Sequence, residues 1–128
     1  MENGRLKISL LQFPLFWERP KDNMEFFGAQ IAALKDKDQM PDLVVLPEMW
    51  STGFSMDLKK KAQSIGRDSL HFMMEMAQSF QIAVVGSTIF EEDLACYNRL
   101  FFVFPDGTYE SYDKRHTFSL AGESEVYE

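Results

Sequence analysis

Glu48 and Lys114 are the residues of this chain whose types and places suggest chemistry. The first follows the apolar run "LVVLP" and the second follows "TYESYD", so each stands where a strand-like segment breaks off. If those strands are neighbours in one sheet, their ends set a carboxylate and an ammonium in a single cleft, the convergence of titratable groups that marks an active site. Open α/β sheets usually hold their ligands at the carboxyl ends of strands. Each residue also has a plainer reading: Glu48 as a solvated carboxylate capping a strand, and Lys114 as part of the polar turn "DKRH".

The other candidates are weaker. Cys96 is the only cysteine. It lies between "EEDLA" and "YNRLFFVF", with no histidine or helix start nearby to activate it, so a structural role is expected. His71 falls within a helical pattern, where an exposed or partly buried position is expected rather than a ligand. His116 stands two residues past Lys114, yet two histidines without a patterned carboxylate do not make a metal site. Glu91, Glu92 and Asp93 read as a solvated loop. Ser51, Thr52 and Gly53 offer hydroxyl or backbone donors to a substrate, or simply form a loop. The chain has no glycine-rich phosphate loop, which argues against nucleotide binding.

These residues need a scaffold, and the pattern supplies one. "RLKISLLQF" reads as a first strand. Pro20 suits the first turn of a helix whose Met24, Phe27, Ile31 and Leu34 repeat at helical spacing. "DLVVLPE" is a second strand ended by Pro47, which has no N–H to give to a ladder, so the opening third is a βαβ unit with a parallel pair. Asp68 is the expected N-cap of a second helix carrying Leu70, Met73, Met74 and Ala77 on one stripe. Core filling is the expected role of Met73, Met74 and Met76. "QIAVVGSTIFEED" is a third strand, and Gly86 inside it suggests a bulge or a close backbone approach. "YNRLFFVF" and "TYESYDK" flank the turn signal "PDG" and form a hairpin. The order βαβαβββ predicts an α/β sheet with both faces covered, and nothing divides the 128 residues into two domains.

Composition narrows the partners. At 45% hydrophobic the chain has the apolar content of one ordinary domain with a real core. A net charge of −7 argues against nucleic-acid or anionic-membrane partners. One cysteine leaves no internal disulfide framework, and a reducing, cytosolic setting fits. The polar start leads straight into a strand, so no signal peptide is expected, and no apolar run reaches the roughly 20 residues of a membrane helix. Twelve phenylalanines suggest large apolar surfaces between layers or subunits.

The segments "LVVLPEMWSTGFSMD" and "YNRLFFVFPDGTYESYDKRHTFSLAGE", in this order and at this separation, resemble the nitrilase superfamily of carbon-nitrogen hydrolases, most closely its omega-amidase-like branch. The opening "LKISLLQFPLFWERPKDNMEFF" fits as well, and the likeness runs from about Lys7 to Glu123. The resemblance implies an αββα sandwich, four-layered when it dimerises through helices, and a Glu-Lys-Cys triad acting without cofactor or metal. By motif match Glu48 is the general base, Lys114 stabilises the oxyanion, and Glu123 in "AGE" is a second glutamate that positions them. The family's nucleophilic cysteine follows the lysine in a motif resembling "CYDLRFP", and Cys96, which precedes Lys114, does not match it. The 128 residues are therefore expected to be a single, incomplete domain, the N-terminal part of a hydrolase of a small dicarboxylate monoamide such as a 2-oxo acid amide. A nitrile hydrolase, N-acyl transferase or other amidase of the same superfamily, and a truncated, non-catalytic association or ligand-binding module, remain alternatives.

Overall fold

The computed structural model describes residues 4–55 and 61–115, and the elements follow the order expected from the sequence. They are β1 (Ile8–Leu10), α1 (Pro20–Asp36), β2 (Leu43–Val45), α2 (Ala62–Phe80), β3 (Ala83–Glu92), β4 (Ala95–Val103) and β5 (Tyr109–Asp113). One five-stranded sheet has the order β1-β2-β3-β4-β5. β1 runs parallel to β2 and β2 to β3, whereas β3, β4 and β5 are joined antiparallel. Strands joined by helices pair parallel because the helix returns the chain to the same end of the sheet, and strands joined by tight turns must pair antiparallel. The β3–β4 turn places both Asp93 (φ 52) and Leu94 (φ 69) in the left-handed region, matching the twist of a two-residue hairpin.

α1 begins at its proline and buries Phe27 and Ile31 completely. α2 contributes Met73 and Ala77, and the two helices meet Val44, Val84, Phe101 and Val103 of the sheet in one core. Met74 and Met76 pack against that core from its margin, in keeping with core-filling methionines. Asp68 does not cap α2. The helix starts at Ala62, with Lys61 at its N-cap and no side-chain cap bond, and Asp68 lies two turns inside. Packing decides this start: Ala62 and Ile65 are buried with Met49, Ile89 and Cys96 in a second cluster, and that burial outweighs the capping preference.

Gly86 is not a bulge, since the β3–β4 register runs unbroken from Val84 opposite Val103 to Glu92 opposite Ala95. It is a close approach: a Cβ there would lie 2.9 Å from Trp50 Cδ1 and 3.0 Å from Leu46 Cβ. β1 is shorter than "RLKISLLQF" suggested. The expectation that both sheet faces are covered does not hold among the described residues. The helices bury one face; on the other, Leu10 is 70% exposed, Leu100 39% and Tyr112 52%. No helix among the described residues is long and apolar enough to cross a membrane.

Candidate active site

β2 and β5 are not neighbours, because β3 and β4 stand between them. Two antiparallel steps restore the original direction, so β5 points the same way as β2, and their carboxyl ends share one edge of the sheet. Glu48 stands three residues past the end of β2 and Lys114 one past the end of β5. Their side chains span the gap: Lys114 Nζ lies 3.1 Å from Glu48 Oε1. They share a cleft of ≈ 320 Å³ on the face that the helices leave open, its walls formed by Val45, Leu46, Val85, Leu100 and Tyr112. Glu48 is 51% exposed, so the strand end holds it in place without desolvating it among the described residues.

Several local features fix the carboxylate. Leu46 still donates its N–H to Val85 O at 2.8 Å, and Pro47 then ends the pairing. The next residue after Glu48, Met49, turns left-handed at φ 54, a conformation that costs on the order of 1–3 kcal/mol and needs outside support. Support comes from Ser87 Oγ, which accepts the Met49 N–H at 3.0 Å, and from complete burial of the Met49 side chain. The rest of the turn is tied down in the same way. Ser51 Oγ bonds Thr88 Oγ1 at 2.8 Å and Thr52 Oγ1 donates to Gly53 O. Both hydroxyls are thus committed internally. Gly53, at φ 76, carries the Trp17 ring where a Cβ would stand. Asn23, 1% exposed, donates to Phe16 O and to Ser51 O and accepts the Phe16 N–H, joining α1 to this turn.

Lys114 is 31% exposed and its ammonium also lies 5.1 Å from the centroid of the Phe54 ring, a cation–π distance. The backbone beside it is anchored by Arg99, whose guanidinium forms a two-bond fork on Asp113 at 2.6 and 3.0 Å and reaches Glu92 at 3.1 Å. Asp113, and after it Glu92, hold the Arg99 guanidinium above its already high ordinary pKa, against the opposing pull of burial. Glu92 is therefore part of β3 and of an ion-pair network rather than of a solvated loop.

Of the remaining candidates, Cys96 is 1% exposed and packed among Met49, Ala62, Ile65 and Ile89, as a structural cysteine would be. His71 is an exposed helix residue paired with Glu75. Glu123 and His116 lie outside the described residues. No group of three metal-ligating side chains occurs among the described residues. Asn98 was overlooked in the sequence. Its Nδ2 donates to Glu48 Oε1 at 2.9 Å, and the available signal was an amide alternating with the apolar Cys96 and Leu100 on one face of a strand.

The chain belongs to the carbon-nitrogen hydrolase family, whose model matches residues 7–128. Among its relatives, the omega-amidase YafV of Escherichia coli (strain K12) is 36% identical over 119 residues, which is 92% of this chain and 44% of that protein. A 2-oxoglutaramate amidase of Bacillus subtilis (strain 168) is 29% identical over 122 residues, 91% of this chain and 45% of its own length. The chain thus spans less than half the length of the curated relatives it matches. Among solved structures, a CN-hydrolase superfamily protein of Xanthomonas campestris, with an arsenic adduct in its active site, superposes with a TM-score of 0.87 at 32% identity. That match covers 96% of this chain and 45% of the other. An amidase of Nesterenkonia shares the fold at TM-score 0.83 and 16% identity. The α/β architecture is that of nitrilase-superfamily folds, of which these residues span about half.

Proposed function

We propose that this chain is the N-terminal part of an omega-amidase-like carbon-nitrogen hydrolase, folding as a single incomplete domain, with Glu48 as general base and Lys114 as the oxyanion-stabilising cation. One observation carries the reading: the Glu48 carboxylate and the Lys114 ammonium, 66 positions apart, meet at 3.1 Å in an apolar-walled cleft at the carboxyl edge of the sheet. The nucleophile is a cysteine thiol outside these 128 residues. Glu48 takes the thiol proton, and the thiolate attacks the amide carbon while Lys114 balances the charge that grows on the amide oxygen. Collapse of the tetrahedral species breaks the carbon-nitrogen bond. The proton held by Glu48 passes to the departing nitrogen, and ammonia leaves. Water, deprotonated by the same carboxylate, then hydrolyses the thioester and releases the acid. Glu123 positions these groups. The substrate is the amide of a small dicarboxylate monoamide such as a 2-oxo acid amide, the enzyme acts in the cytoplasm, and two copies associate as a homodimer.

The test compares the 128-residue chain with the reading frame extended to include a cysteine-bearing segment, measuring ammonia release from 2-oxoglutaramate. The extended protein should turn over and lose activity on Glu48→Gln, while the short chain should be silent. Turnover by the short chain would refute an external nucleophile, and full activity of Glu48→Gln in the extended protein would refute the base.

A further inference from the structure

We infer that Asn98 is a positioning residue for the reaction, holding Glu48 in place when Lys114 turns from the carboxylate to the reacting oxygen. This rests on the reading of Glu48 and Lys114 given above. Asn98 sits in β4, 3% exposed, between Cys96 and Leu100 on the face that forms the cleft. An amide is a poor choice for a buried strand position, because asparagine is depleted in strands and its polar atoms are costly to bury unless bonded. Its bonds account for it. Nδ2 donates to Glu48 Oε1 at 2.9 Å, and its backbone carbonyl accepts the Lys114 N–H at 3.0 Å. One residue of β4 therefore fixes the side chain of one partner and the backbone of the other, within the pair of strands that separates β2 from β5.

The donor geometry gives the amide a task that Lys114 cannot perform. Asn98 Nδ2 and Lys114 Nζ converge on the same oxygen, Oε1, while Oε2 accepts no hydrogen bond among the described residues. A thiol proton has access to Oε2. The lysine has two duties, since its charge restrains Glu48 before reaction and must serve the developing oxyanion during it. Whenever the ammonium leaves Oε1, the Asn98 amide is the remaining donor among the described residues, and it sits on a backbone ladder that does not move with the substrate. An aspartate here would repel the carboxylate, and an aliphatic residue would leave it to rotate.

The experiment uses the extended, catalytically complete protein and three variants: Glu48→Gln, Asn98→Leu and Asn98→Ala. Melting temperature, kcat and KM for 2-oxoglutaramate are measured for each. For Asn98→Leu, kcat should fall by roughly 10²-fold, the loss that a misplacement of about 1 Å can cause, with KM within threefold and the melting temperature equal or higher. Asn98→Ala should show the same split if the larger side chain does not fit. A merely structural asparagine predicts the reverse, a lower melting temperature with kcat unchanged per folded molecule, and that result would overturn the inference while leaving the proposed function intact. If Glu48→Gln itself leaves kcat unchanged, the assigned function fails and the inference falls with it.

Discussion

Gly86→Ala is the most direct test of how the sheet carries the site, because a methyl group there presses on both ends of the segment that holds Glu48. Its Cβ would stand 2.9 Å from Trp50 Cδ1, 3.2 Å from Trp50 Nε1 and 3.0 Å from Leu46 Cβ. Trp50 is completely buried between Phe27 and Phe72, and Leu46 is 4% exposed, so neither neighbour can swing into solvent. Overpacking of this kind costs about 1–3 kcal/mol. Removing a strand glycine returns roughly 0.5–1 kcal/mol of backbone entropy, which leaves a net loss of about 1–2 kcal/mol. With an unfolding entropy near 2.1 cal/mol/K per residue, a chain of 128 residues should melt about 5 °C lower. Calorimetry gives the melting temperature. Trp50 fluorescence in a Trp17→Phe background, which removes the other tryptophan, reports whether the strain reaches the indole. An unchanged or raised melting temperature with an unshifted emission maximum would refute the close-approach account of this glycine.

Three further expectations follow from the same geometry. Asn23→Ala leaves a carbonyl of Ser51 and both backbone groups of Phe16 without the partner they have now, so it should destabilise the chain by about 3 kcal/mol, read from the urea midpoint. Arg99→Lys loses the planar fork on Asp113 and the stacking over Phe90, and should cost about 1–2 kcal/mol by the same measurement, a range reduced because Asp113 and Glu92 are partly exposed and can rehydrate. The Asp106 carboxyl is held below its ordinary pKa by the hydroxyl and then the backbone N–H of Thr108. Its contribution is therefore complete above the unfolded value near 3.9 and disappears as pH falls through the lower folded value. Asp106→Asn should melt below the parent at pH 7, and thermal melts at successively lower pH should show the gap narrowing once the pH drops below the unfolded value.

Element types and order were legible because each rests on a local signal: a short apolar run ended by "PDG" for "YNRLFFVF", and a period of 3.6 for the stripes through Phe27 and Ile31 or Met73 and Ala77. The start of α2 was not, since Asp68 carries a capping side chain while the burial of Ala62 and Ile65 depends on Ile89 and Cys96, distant in sequence. Glu48 and Lys114 were readable as charges at strand ends, but their meeting depends on β3 and β4 lying between β2 and β5, a register that no local pattern records. Asn98 and Asn23 were passed over for a related reason. Each looks like an ordinary polar residue within its segment, and only the partners across the fold, Glu48 for one and Ser51 for the other, show what the amide is for.

The strand order of the sheet is also the order of the chain, and this bears on how the protein is made. Among the described residues every strand after β1 pairs with the strand that precedes it, so a nascent chain leaving the ribosome can add each one to an edge already present. Among the described residues no gap waits for a later segment to be threaded between two earlier strands. The antiparallel steps close over short turns, whereas the parallel steps, Ile8 opposite Leu43 and Leu43 opposite Ala83, must each wait for a whole helix, so they are the slower closures in an assembly that can proceed from the amino terminus. The cleft edge is complete only when β5 emerges, so Glu48 meets Lys114 as the last event of that sequence.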